Sequence, residues 1–215
     1  MPQSLLTFSD IVTRVRRLEG HQHDDDTDMI EEIGLEVNEA YFEMITSRDW
    51  YWTRDEQSIS HTGGGELILP TAIYAVRYIR DAGNRRLEPR YRSRQEQYAD
   101  YYANKGLRTY ALDGHDVSTG GIVLNFEPEE SATTFTVGCN VLPSELSADS
   151  DRPLGPPNMG AYLVWYTRWL RLMGDEERPT LISQSQARWE RLHRSLVHDN
   201  MRLLKGQVMD ATPAP

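Results

Sequence analysis

The chain has 215 residues, 39% hydrophobic and 26% charged, with a formal net charge of -10 and a single cysteine. This length can bury one substantial core, or a core plus a helical annex. The acidic balance argues against nucleic-acid affinity as a main role, since phosphate binding needs clustered Lys and Arg, and a lone Cys139 cannot form an internal disulfide.

At the N-terminus, Thr7 and Asp10 are spaced as a capping box, and Phe8, Ile11, Val12, Val15 and Leu18 then share one helical face up to Gly20. No signal-peptide segment is apparent there, and no apolar run reaches the ~18 residues of a membrane span, so a chain that is soluble and intracellular during synthesis is expected, with no membrane partner. The polar loop "GHQHDDDT" leads to Asp28, a candidate cap for a second helix carrying Met29, Ile33, Val37, Tyr41 and Met44 at helical spacing. In "SRDWYW" the pattern changes. Trp50 and Trp52 have the same parity and share a face if the segment is a strand, which predicts two buried structural anchors where helix gives way to sheet.

Beyond them "TRDEQSISHTGGGELIL" reads as a hairpin over about 53–69 whose tip, Gly63, Gly64 and Gly65, projects from the core. Strands are expected at 73–79, 108–112, 121–126 and 133–142, with turns at "DGHD" and "EPEE" and a short helix opened by Ser93 and Glu96. After the linker "SELSADSDRPLGPPN", one helix is predicted over 159–173 with a stop at Gly174, and another over 180–205. The fold class is therefore α+β: a helical bundle from both chain ends around a central antiparallel β domain, either a small sandwich or a curled sheet. Its parts are an N-terminal helical segment (1–49), the β domain (50–150), C-terminal helices (151–205) and an extended tail (206–215).

Chemistry-bearing patterns are sparse. Cys139 sits in the strand "TTFTVGCNV" and reads as a small buried hydrophobe rather than a nucleophile. His21 and His23 beside Asp24 to Asp26 read as an acidic loop, because no distant ligand completes a metal site. Glu127, Glu129 and Glu130 are neighbours in a turn and cannot alone place two carboxylates across a sugar. No nucleophile elbow, phosphate-binding loop or cofactor motif is present. Charge is segregated instead. From Glu19 to Glu43 there are ten acidic residues and no Lys or Arg, while Arg77 to Arg108 holds nine basic residues against four acidic. Glu31, Glu32 and Glu36 on one copy are expected to face Arg85, Arg86 and Arg90 on the next.

The ordered set "SRDWYW", "GELILPTAIYAVRYIRDAGNRRLEP", "GIVLNFEPEESATTFTV" and "NMGAYLVWYTRWLRLMGDEE" resembles the head-to-tail adaptor proteins of tailed bacteriophages, over about residues 7–205. The resemblance implies a non-enzymatic virion protein at the head-to-tail neck, forming a homo-oligomeric ring below the twelve-fold portal. DNA would pass through it without sequence-specific binding. It also places the portal on the side of the terminal helices, where Arg194, Arg202, Val208 and Met209 are the expected contacts; by position, Gly63 to Gly65 would project toward the next tail component or an adjacent subunit. The alternatives are a virion-associated carboxylate hydrolase and a monomeric binding module.

Overall fold

The computed structural model describes residues 3–21, 26–92, 108–173 and 177–210. They form two compact units, one made of Met1–Trp52 with Pro143–Pro215 and the other of Thr53–Leu142. The fold is α+β, with helices contributed by both chain ends and sheets in between.

The helical unit holds α1 (Phe8–Glu19), α2 (Thr27–Thr46), α3 (Met159–Leu172) and α4 (Pro179–Asp210). The Thr7–Asp10 capping box is present in both directions, and Gly20, at φ 93°, closes α1 in the left-handed conformation that glycine adopts without a Cβ penalty. Asp26, not Asp28, caps α2: its carboxylate accepts from the backbone N–H groups of Asp28 at 3.0 Å and Met29 at 3.4 Å. Helix α4 continues to Asp210, so residues 206–210, expected to be extended, are helical; 211–215 and the expected stop at Gly174 lie outside the described residues.

Helix α3 packs on each of the other three. It is apolar on several sides and buries Met159, Leu163, Val164 and Tyr166; Ile11 and Val15 of α1, Ile33, Val37 and Tyr41 of α2, and Leu196 of α4 are buried as well. The returning chain is tied to α2 by the buried Asn38, whose amide donates to the Leu146 carbonyl and accepts from the Leu146 N–H, each at 2.9 Å. Among the described residues, no helix is long and apolar enough to cross a membrane.

The β unit is a small sandwich. One sheet has the order β1 (Arg54–His61), β7 (Thr133–Val141), β3 (Ile73–Arg80). The other runs β2 (Gly64–Ile68), β6 (Ile122–Glu130), β5 (Thr109–His115), β4 (Glu88–Pro89), antiparallel except for the β4–β5 pair. Alternate residues Phe135, Val137 and Cys139 of β7 and Ile122, Leu124 and Phe126 of β6 face a shared core with Leu67, Ile79 and Tyr110. Tyr78 lies across Gly138, whose missing Cβ would sit 2.4 Å from the ring.

The segment 53–69 is not a hairpin. β1 and β2 do not pair with each other. β1 pairs with β7 from Arg54↔Asn140 to His61↔Thr133, and the same register resumes in the other sheet at Gly64↔Glu130. Two long strands thus run antiparallel through both sheets and bend together at the corner. Gly63 and Gly64, at φ 101° and 108°, supply the bend, and Gly63 lies against the backbone of Glu130 to Ala132. For the same reason "EPEE" is not a turn but the end of β6. The turn expected at "DGHD" falls slightly later, at Asp116 to Gly120, where the Asp116 carboxylate accepts from the N–H and hydroxyl groups of Ser118 and Thr119, which hold its pKa down at about 2. The helix expected after Ser93 lies outside the described residues.

Candidate functional site

The "DWYW" segment is fixed by two neighbours in the helical unit. Tyr51–Thr53 form a turn of 3-10 helix rather than a strand, so shared strand parity does not account for the two tryptophans. They instead stack on one another with ring centroids 4.6 Å apart, and both are buried. The Trp50 indole donates at 2.7 Å to the Met44 carbonyl in the last turn of α2, which also accepts from the Ser47 hydroxyl at 2.7 Å and the Ser47 N–H at 3.4 Å. From α4, the buried Asn200 accepts from the Tyr51 N–H at 2.7 Å and donates to the Asp49 carbonyl at 3.1 Å.

Asn200→Ala is therefore expected to leave two backbone groups without these bonds and to lower stability by about 1–3 kcal/mol, measured by denaturant unfolding; Asn200→Ala with wild-type stability would show that water replaces both bonds. Above this clamp His193 lies between Trp50 and Tyr162, and Trp189 meets Tyr162, Tyr166 and Trp169. Burial, with Arg48 adding to it, pushes the His193 pKa below its ordinary value.

The acidic segment is partly neutralised at home. Arg171 of α3 reaches Glu19 at 2.9 Å, Glu36 at 2.6 Å and Glu32 at 3.6 Å. Burial raises the Glu36 pKa, and the Arg171 guanidinium only partly offsets it. Glu31 and Glu32 are exposed. On the other side of the expected charge pairing, Arg90 is bonded to Glu88, while Arg85 and Arg86 are exposed in the turn after β3. Arg86, Arg77 and Arg80 surround Tyr78, with guanidinium carbons 5.7, 5.7 and 4.7 Å from its ring centre. Glu36 and Arg90 are thus engaged within their own subunit, which leaves Glu31, Arg85 and Arg86 as the more open members of the set.

The acidic residues of β6 do not converge on a reacting centre. Glu130 shares the inward parity of Leu124 and Phe126 and is buried, while Glu129 is exposed. Arg108, just before β5, fastens Glu130 through two nitrogens and reaches Asp81 at 2.6 Å. Burial alone would raise the Asp81 pKa; the Arg85 N–H and the Arg108 guanidinium overcome it and leave the value lowered. Cys139 is buried, and burial with nearby Asp55 pushes its thiol up to about 11, which suits packing rather than attack. Among the described residues, no group of three or more His, Cys, Asp or Glu side chains is placed to hold a metal ion. His23, Asp24 and Asp25 lie outside them, and Asp26 serves as the α2 cap.

Arg194 and Arg202 are exposed on α4, and Val208 and Met209 belong to its last turns. Gly63, Gly64 and Gly65 form the sheet corner, with Gly65 beside the Glu129 side chain. The sequence-predicted residues therefore belong to different elements in both units. Sequence reasoning missed Arg108, Arg171 and Asn200. A charged or amide group set among apolar helix or strand neighbours was the available signal, but its partners come from distant segments.

No curated protein matches the chain. The family model of SU10 adaptor proteins matches residues 6–211, covering both chain ends and the β unit between them. The chain belongs to the SU10 adaptor protein family, head-to-tail adaptors of tailed bacteriophages.

Proposed function

We propose that copies of this chain close into a twelve-fold ring that joins the portal to the tail and encloses the passage for DNA, a structural role without catalysis. The family match across 6–211 is the observation that carries this reading. The net charge of -10 supports it, since a wall poor in clustered cations does not retain passing phosphates. The exposed Arg194 and Arg202 and the helix end bearing Val208 and Met209 serve the portal contact. Arg85 and Arg86 serve an adjacent subunit, and the corner at Gly63 to Gly65 serves the next tail component or an adjacent subunit.

The test is to stop translation of the chain early in an infected cell and image the products. DNA-filled heads that fail to join tails are expected, and averaged images of wild-type necks should show twelve copies in a ring. Tails attached normally to heads that lack the protein would overturn the proposal.

A further inference from the structure

We propose that the outer face of α2 in one subunit seats in a groove between α1 and α3 of the next. This rests on the ring reading above and identifies the surfaces that build it. The groove has a volume of about 310 Å³ and is lined by Arg14, Arg17 and Leu18 of α1 and by Ala161, Val164 and Trp165 of α3. Both triplets follow i, i+3, i+4 spacing, so two ridges flank an apolar floor. Cations crowd its rim. The exposed Arg14, Arg17 and Arg188 stand there, Arg188 with its guanidinium carbon 5.8 Å from the Trp165 ring centre, while the buried Arg168 underlies the same ring at 5.5 Å and donates to the Leu18 carbonyl. Among the described residues, no carboxylate forms a salt bridge with Arg14, Arg17 or Arg188.

The complementary surface is on the same chain. Asp28, Glu31, Leu35 and Glu39 recur at three- and four-residue spacing along the solvent side of α2. Leu35 is 62% exposed, an apolar group inside an acidic stripe, and Asp28, Glu31 and Glu39 have no salt bridge among the described residues. An acidic stripe with a central leucine fits a slot with an apolar floor and an arginine rim. Two acidic stripes would repel, as would two arginine rims, so the contact cannot be made between like faces. It is heterologous, with one face of each subunit meeting a different face of the next, and this is the geometry that propagates around a ring.

The experiment uses phage particles carrying the full chain with Leu35→Cys and Ala161→Cys together, treated with a short bis-maleimide. The native Cys139 is buried and provides the unreactive background. A ladder of cross-linked subunits is expected from the double variant and none from either single variant. Dimers from a single variant would mean that like faces meet, and would overturn the proposal. Rings visible in particles without a ladder would also overturn it while leaving the ring reading intact; particles without a ring would remove both.

A second measurement covers the case in which the double cysteine variant yields no particles. Chains with Arg17→Glu and Arg188→Glu, or with Glu31→Arg and Glu39→Arg, are each expected to reduce tailed particles at least about tenfold. Expressed together they should restore the yield, because each interface in an alternating ring then pairs opposite charges. Wild-type yield from either chain alone, or no recovery from the mixture, would overturn the assignment.

Discussion

Replacing Trp50 with alanine is expected to produce a large loss of stability in the helical unit, about 3–5 kcal/mol. The ring is buried against Trp52, and its indole N–H donates to the Met44 carbonyl at the end of α2, beside the Ser47 hydroxyl. Alanine removes the apolar surface, leaves a cavity and takes one donor from that carbonyl, which keeps the Ser47 hydroxyl and N–H. Phenylalanine separates these effects. Trp50→Phe keeps most of the ring and gives up the hydrogen bond, which is worth about 1 kcal/mol. Trp52→Phe removes an indole nitrogen that is buried without a hydrogen-bond partner, so it should cost less than Trp50→Phe despite similar burial. Denaturant unfolding followed by helical circular dichroism measures all three. Equal losses from the two phenylalanine variants would show that ring volume alone matters and that the Met44 bond contributes nothing.

Local signals made much of the fold legible. The Thr7–Asp10 box and Gly20 define α1 because every group involved lies within a few residues. The α2 cap was less well defined: a run of aspartates offers several acceptors, and only the backbone path selects Asp26. The largest misreading, a hairpin over 53–69, has a physical origin. The positions of β1 that pair with Cys139, Val137 and Phe135 are Asp55, Gln57 and Ile59, so the inward face of this edge strand is largely polar and lacks hydrophobic alternation. Gln57 and Asp55 bond to each other at 3.4 Å on that face. Glycines after such a strand suggest a free tip, whereas here they carry the chain from one sheet to the other.

The candidate surfaces were legible as charge but not as pairing. Segregation of acids and arginines is a property of the sequence, yet the choice of partner depends on which segments fold together. Arg171 follows an apolar helical run and nothing local links it to Glu19 and Glu36, which are more than a hundred residues away. The groove at Trp165 likewise needs α1 and α3 side by side, and these come from opposite ends of the chain.

Arg108 permits the most discriminating test of the β unit. Glu130 falls at an inward position of β6 and Asp81 is buried after β3, so both carboxylates depend on the guanidinium that reaches them from the start of β5. Arg108→Met fills similar volume without charge and strands two buried anions; the expected cost is about 3–5 kcal/mol. Adding Glu130→Met to that variant removes one of the two uncompensated charges and should recover much of the loss, since apolar replacement of both members of a buried pair is often neutral. The pH dependence gives an independent check on Asp81. Its folded pKa lies below the ordinary value near 3.9, so its contribution is fully present above that value and is lost as pH falls through the lower folded value. Wild-type stability should therefore decline below about pH 4 through this group, and the decline should be shallower in Arg108→Met, where the cation that holds the Asp81 carboxylate charged is gone. Chemical unfolding from pH 3 to 7 reads both effects, and an equally steep acid limb in the two proteins would mean that the Arg85 N–H, not Arg108, sets the Asp81 ionisation.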